Sequence, residues 1–209
     1  MLLELAEWRR YTAEMYAAVR KSSARDVESA WQDLLRKRSE MFRTHAQSPL
    51  PDERKGSFEA LRYFPYNPAW RFHAEAVPIE NEKAVRAFAI DLPEGRAGLR
   101  PFAHVRFSPP SRSKDPLQLT LYWIEGYGGG LFLPFKDRTN GIETYGGGRY
   151  LYDTIKGADL GADSDGILLD FNFAYNPSCA YRPQWTCPLA PAENMLPLRI
   201  DAGELAFEE

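Results

Sequence analysis

Two stretches hold most of the side chains able to do chemistry: FLPFKDRTNGIETYGGGRYLYD, from Phe132 to Asp153, and LLDFNFAYNPSCAY, from Leu168 to Tyr181. In the first, Arg149 follows Tyr145 and three glycines, and residues without Cβ let backbone amides approach a ligand closely or simply permit positive φ in a wide turn. An arginine beside exposed amides suits a carboxylate or a phosphate. The competing reading is an ion pair from Arg149 to Asp170 or Asp153 that pins two strands. In the second stretch a pleat over Ile167 to Phe173 sends Ile167, Leu169, Phe171 and Phe173 to one face and Leu168, Asp170 and Asn172 to the other, so Asp170 and Asn172 point together to water or into a cleft. Candidate ligand-binding residues are therefore Asp137, Thr139, Tyr145, Arg149, Tyr150, Asp170, Asn172, Tyr175, Asn176, Glu193 and Asn194. Asp170 or Glu193 is a candidate general base.

Other chemistries fit the residues less well. Asp137, Glu143, Asp170 and Glu193 are an all-oxygen set for Mg²⁺ or Ca²⁺, but their spacing matches no known loop. Zinc would need Cys179 and Cys187, with seven residues between them, together with His45, His73 or His104. No Cys-x-x-Cys, His-x-His or His-Glu-x-x-His occurs, so no metal or other cofactor is expected. Cys179, beside an Asn-Pro turn, is a candidate nucleophile with His104 as base, against the commoner fate of a small buried thiol. Gly128 to Gly130 lacks the following Lys-Ser or Lys-Thr and the helix of a phosphate loop and reads as a hairpin turn.

The elements that must position these groups fall into two parts, a helical segment over 1–45 and a β domain over 46–209. Leu5, Trp8, Tyr11, Met15 and Val19 form one stripe of a helix over 3–21. Val27, Trp31, Leu34 and Met41 form a second, with Ser23 and Asp26 as a capping box. Pro49, Leu50 and Pro51 end the helices. The period then changes to two. Trp70 to Ala76 and Val85 to Ala89 read as strands joined by a turn near Glu80 to Glu82. Arg100 to Phe107 precedes the turn-rich SPPSRSKDP, and Leu117 to Ile124, LFLPF, Tyr150 to Thr154 and Ile167 to Phe173 follow. Pro177 to Pro191 reads as irregular, and Leu196 to Ile200 with Glu204 to Phe207 as a closing hairpin. The fold class is mainly β (α+β): N-terminal helices packed on an antiparallel barrel or sandwich of about eight to ten strands.

Composition excludes several classes. The 209 residues carry 26 Lys and Arg against 29 Asp and Glu, a net charge of -3, with no basic run, so no nucleic-acid partner is expected. No run of about eighteen apolar residues occurs, so no membrane span is expected. Glu4, Glu7, Arg9 and Arg10 interrupt the start where a signal peptide needs an apolar core, which points to the cytoplasm and to reduced thiols at Cys179 and Cys187.

The runs SPLPDERKGSFEALRYFPYNPAW, FLPFKDRTNGIETYGGGRYL, DFNFAYNPSCAY and CPLAPAEN followed by IDAGE resemble the bacterial and archaeal family catalogued as domain of unknown function sixteen eighty-four. The likeness runs from about Ser48 to Glu204 and implies a shared fold and a shared site, with no reaction attached. It puts the family's characteristic residues on Asp137, Thr139, Gly141, Thr144, Tyr145, Gly148, Arg149, Tyr150, Asp170, Asn172, Tyr175, Asn176, Cys179, Cys187, Pro188, Glu193 and Asn194. Lys136 departs from the arginine more usual there. The leading expectation is a β domain that binds a small polar or anionic ligand in a cleft lined by Arg149, Asp170 and Asn172. The alternatives are a hydrolase or lyase with Asp170 or Glu193 as base and Arg149 stabilising negative charge, and a structural polar cluster with the helical end serving a homodimer.

Overall fold

Two long helices open the chain of this computed structural model, which describes residues 2–22, 25–80, 87–92, 95–109, 116–163 and 166–207. Helix α1 (Leu2–Lys21) buries Met15, Tyr16 and Val19. Helix α2 (Val27–Thr44) buries the whole stripe read from its spacing, Val27, Trp31, Leu34 and Met41. It starts after Asp26, while Ser23 of the expected capping box lies outside the described residues. The stripe of α2 also contains Arg38, 8% exposed, at a helical position that packing would otherwise give to an apolar residue. A single turn, α3 (Asp52–Lys55), leads towards the strands.

The strands are β1 (Arg71–Pro78), β2 (Phe88–Leu92), β3 (Gly95–Phe107), β4 (Leu117–Ile124), β5 (Gly130–Phe135), β6 (Arg149–Asp153), β7 (Ala162–Asp163) and β8 (Gly166–Asp170). Seven follow one another antiparallel in the order β6-β5-β4-β3-β1-β8-β7, and β2 pairs with the first half of the long β3. The sheet curls into a half-barrel, so neither the closed barrel nor the eight to ten strands across it are found. The turn near Glu80 to Glu82, Val85 with Arg86, and most of SPPSRSKDP lie largely outside the described residues.

One hydrophobic core joins both parts of the chain. Met15, Trp31 and Leu34 from the helices meet Leu119, Leu133, Leu151, Leu169 and Phe171 from the sheet side. The α2 stripe and the Met15 and Val19 end of the α1 stripe therefore bury themselves on the curl, while Tyr11 of the α1 stripe stays exposed; helices of this length depend on such packing to persist. On the opposite pleat of β3 to β6, Leu99, Tyr122, Phe132 and Tyr150 make a second, smaller cluster.

Two expected elements differ. Strand β8 stops at Asp170, whose carboxylate accepts from the Asn172 amide at 3.1 Å and caps a 3-10 turn over Phe171–Phe173. Alternation in the sequence continues through that turn, so a pleat was expected where a side chain ends the strand. The closing hairpin is also absent. Pro197 has no amide to offer a partner strand, and the tail instead makes isolated bonds to several loops, from Arg138 N to Leu198 O, Phe64 N to Gly203 O, Leu205 N to Arg62 O and Ala206 N to Glu143 O.

The tail passes its tightest point at Gly203, with φ +84. A Cβ there would lie 2.8 Å from the Phe171 carbonyl oxygen and 2.8 Å from the Ala174 Cβ. Gly203→Ala is expected to lower stability by roughly 1–3 kcal/mol through strain and overlap. Gly146→Ala, whose nearest neighbour would be 3.8 Å away, is expected to stay within about 0.5 kcal/mol of the parent. Urea midpoints at unchanged slope measure both.

Candidate functional site

Arg149 enters β6 opposite Phe135 of β5. That register aims its guanidinium back past the Phe135 ring, 5.1 Å from the centroid, towards the loop that leaves β5. There Asp137 Oδ2 accepts from Arg149 Nη2 at 2.7 Å. The same guanidinium donates to the carbonyls of Ala202 and Ile200. Arg149 and Asp137 side chains are both 0% exposed. The partner of Arg149 is thus Asp137, not Asp170 or Asp153, because the β5–β6 pairing brings the residue just beyond Phe135 within reach. Burial pulls the Arg149 guanidinium below its ordinary value, while Asp137 pushes it back up.

The loop after Asp137 is closed on itself. Asp137 Oδ1 accepts from the Thr139 amide at 2.8 Å, and Asn140 Oδ1 accepts from the Asp137 amide at 2.6 Å. The Thr139 and Thr144 hydroxyls are 2.8 Å apart, and Asn140 Nδ2 donates to the Tyr145 carbonyl at 2.7 Å. Asn194 does comparable work elsewhere, accepting from Thr120 N at 2.7 Å and donating to Pro134 O at 2.7 Å. Glu193 is exposed and accepts from the buried Tyr122 hydroxyl at 2.6 Å.

Asp170 stands apart from Arg149 in its bonding. Its Oδ2 accepts from Arg71 Nη1 at 2.8 Å and its Oδ1 from Asn172 Nδ2 at 2.8 Å. Asn172 in turn brackets Asn67 through both backbone groups, at 2.8 and 2.9 Å, and its carbonyl accepts from Trp31 Nε1 at 2.9 Å. Asp170 and Asn172 are 0% and 1% exposed. Arg149, Asp170 and Asn172 therefore do not line one open cleft, and each is occupied by protein partners. Burial pushes the Asp170 carboxyl above the ordinary range, and the bonds from Arg71 and Asn172 draw it back.

A third group was not foreseen. Arg38 of α2 donates to Glu204 Oε2 at 2.8 Å and to the Tyr63 hydroxyl at 2.7 Å. The Tyr181 hydroxyl donates to the other Glu204 oxygen, and the Asn176 amide donates to Glu204 Oε2 at 2.9 Å. The arginine inside an apolar helical stripe was the available signal.

Tyr145, Tyr150, Tyr175, Asn176 and Cys179 do converge, along the segment that runs from the end of β8 to Pro191. Tyr150 N and Tyr175 O are 2.9 Å apart, and the Tyr150 hydroxyl donates to the Pro188 carbonyl. Beside them a cleft of about 500 Å³ opens between the start of α1 and this segment, with Trp8, Phe132, Ile155 and Trp185 among its apolar walls and Arg9, Asp153 and Lys156 among its charged ones. Lys156 pairs with Asp153 at 3.4 Å and remains about half exposed; Asp153 raises the Lys156 ammonium. A smaller cavity of about 60 Å³, also touched by Trp8 and Lys156, is lined by Tyr175 and Asn176. The Tyr175 hydroxyl and Asn176 Oδ1 are buried there with no partner among the described residues. His104, the base once paired with Cys179, instead faces Thr120 at 3.3 Å.

The chain matches, over residues 56–205, the family described as Protein of unknown function (DUF1684). It belongs to this family. Among solved structures it is similar to the uncharacterized protein from gene locus rrnAC0354 of Haloarcula marismortui, determined by solution NMR. The two are 31% identical over 87% of this chain and 95% of that one, with a TM-score of 0.62. No curated protein matches. Among the described residues no helix is long and apolar enough to cross a membrane, and no group of three or more metal-ligating side chains occurs.

Arg149→Ala is expected to lower stability by about 3–5 kcal/mol in urea denaturation, since it strands the Asp137 carboxylate in the interior. Arg71→Ala has a further signature. It removes the Arg71 share of what draws the Asp170 carboxyl down, so the folded state, which already holds this proton more tightly than the unfolded chain, holds it more tightly still. A carboxyl raised on folding adds stability as pH falls. The deficit of Arg71→Ala should therefore shrink from neutral pH towards about pH 4, the ordinary aspartate value. A deficit that is flat with pH would show that Asp170 does not feel the loss.

Proposed function

We propose that this domain binds a small ligand with an apolar body and an anionic group in the cleft between α1 and the Pro177 to Pro191 segment. The observation that carries the reading is Lys156, a half-exposed ammonium on the lining of both the 500 Å³ cleft and the 60 Å³ cavity behind it. Clefts of this volume with mainly apolar walls and a few convergent polar groups suit small molecules. Trp8 and Trp185 supply flat apolar walls, Arg9 a second positive charge, and Asp153 offsets one of the two cations. The unbonded Tyr175 hydroxyl and Asn176 oxygen offer a donor and an acceptor to a polar group that reaches inward.

Of the residues first singled out for binding, this assigns Tyr150, Tyr175 and Asn176 to the ligand. A second reading, a structural polar cluster, is favoured for Asp137, Thr139, Arg149, Asp170, Asn172 and Asn194 by their mutual hydrogen bonds. The helical end remains the surface proposed for any homodimer.

The test is a thermal-shift screen of apolar carboxylates, phosphates and sulfonates, confirmed by tryptophan fluorescence. At about a hundred times its Kd, a ligand specific for the native state should add about 2.7 kcal/mol. Lys156→Ala should lose most of that shift while keeping the parent's own melting temperature within a few degrees. A screen without a hit, or a hit that binds Lys156→Ala equally well, would overturn the reading.

A further inference from the structure

The segment that borders the cleft carries the only two cysteines of the sequence, and they touch. The Cys179 amide donates to Cys187 Sγ at 3.3 Å, which sets the two side chains next to each other. From the other side, the Tyr145 hydroxyl donates to Cys179 Sγ at 3.5 Å. Both cysteines are free and partly exposed. A sulfur that accepts from a phenol, with a second thiol alongside, is favoured as a thiolate, the form that attacks. These neighbours, led by the Cys187 thiol and helped by the Lys156 charge, bring Cys179 down to about 6 against the opposing effect of burial. Cys187, beside that thiolate, is pushed up. An inert packing thiol would meet apolar neighbours instead.

We propose that Cys179 is a peroxide-reactive nucleophile, that Cys187 is its resolving thiol, and that the two close into a reversible disulfide. In the first step the Cys179 thiolate attacks one oxygen of a hydroperoxide. An S–O bond forms and the O–O bond breaks. The departing oxygen takes a proton from solvent and leaves as water or an alcohol, so the sulfur is oxidised to a sulfenic acid and the peroxide is reduced. In the second step the Cys187 sulfur, surrendering its proton, attacks the Cys179 sulfur. The S–S bond forms, the S–O bond breaks, and the hydroxide leaves with that proton as water. Two equivalents of a small thiol restore both cysteines by exchange: the first forms a mixed disulfide and frees one cysteine, and the second frees the other and leaves as the small disulfide.

The roles follow from position. Cys179 holds the Tyr145 hydroxyl and reacts first, while Cys187 keeps its proton until the sulfenic acid gives it a target. Tyr145 is a positioning residue, steadying the thiolate through its hydroxyl. Between the two cysteines, Pro183 to Thr186 are exposed and belong to no strand, so the Cys187 side can draw in to the bond length a disulfide needs. None of this depends on what occupies the cleft.

The full chain is titrated with hydrogen peroxide at neutral pH, free thiols are counted, and a non-reducing digest is mapped. Both thiols should disappear together into one Cys179–Cys187 bridge, regenerated by dithiothreitol, with a rate that falls as pH is lowered through about 6. Cys187→Ser should stop at a sulfenic acid on Cys179 that dimedone traps. Cys179→Ser should leave Cys187 unreacted, and Tyr145→Phe should slow the reaction and move its pH midpoint upward. The proposal is overturned if the wild-type thiols outlast free cysteine in the same peroxide. It fails equally if only intermolecular bridges form, or if Cys187 reacts in Cys179→Ser as fast as Cys179 does in the wild type. The wild-type result decides the matter even where a variant does not fold.

Discussion

Two buried arginines hold one short piece of backbone, and the arrangement of the molecule depends on it. Arg149, from the sheet, binds the carbonyls of Ile200 and Ala202. Arg38, from α2, binds Glu204. Between them the chain turns at Gly203, where no side chain would fit. The tail is thereby clamped between helix and sheet without pairing as a strand. Breaking such a pair by removing one partner costs about 3–5 kcal/mol, a large part of the stability of a domain this size. A pair of matching hydrophobic residues could stabilise as well. What ion pairs add is direction, because a guanidinium fork accepts few geometries. Each arginine selects one path for a tail that carries too few backbone bonds to select its own.

The clamp also sorts the polar residues. Asp137, Thr139 and Asn140 turn inward on each other because Asp137 must face Arg149 and also cap its own loop. Asp170 both ends β8 and receives Arg71, and Asn172 ties the same turn to Asn67 and Trp31. A side chain with all its bonds made to protein has little left for a ligand. More is left in the stretch from Tyr175 onward, where the Tyr175 hydroxyl and Asn176 oxygen have no partner among the described residues and the two cysteines lie beside each other and Tyr145.

Much of this was legible from residue types alone. The stripe of α2, the strand at Leu117 to Ile124 and the family likeness stand, because period and motif are local properties, while in α1 Tyr11 of the expected stripe is exposed and Tyr16 outside it is buried. Partner choice was not legible. That Arg149 meets Asp137 follows only from the β5–β6 register, which places Phe135 across from Arg149, and no spacing along the chain encodes it. The end of β8 at Asp170 was hidden for a different reason: alternation through Phe173 imitates a strand, while the Asp-x-Asn pattern that stops it was read as two wall residues. Arg38 was the missed clue, an arginine four residues after Leu34 and three before Met41, where the stripe predicts an apolar side chain. A sheet that curls without closing leaves the same sequence pattern as one that closes, since both bury alternate residues.

The stiffness of the clamp and the looseness of the cysteine segment are connected. Ser178 to Pro191 lies against a rigid frame, tied near its start by Tyr181 to Glu204, Arg182 to the Leu50 carbonyl and Cys179 to Tyr145, and farther on by the Pro188 carbonyl to Tyr150. Segments with few buried backbone bonds open at a small fraction of the global unfolding free energy, and moving parts are drawn from that end of the range. Cys179 sits near the fixed end of this segment, beside Asn176 on Glu204, and Cys187 near its freer part, beyond exposed Trp185. A nucleophile needs a fixed environment to keep its thiolate, and a resolving partner needs freedom to approach. The fold supplies the first through the glutamate that Arg38 pins and the second through a stretch that no strand confines.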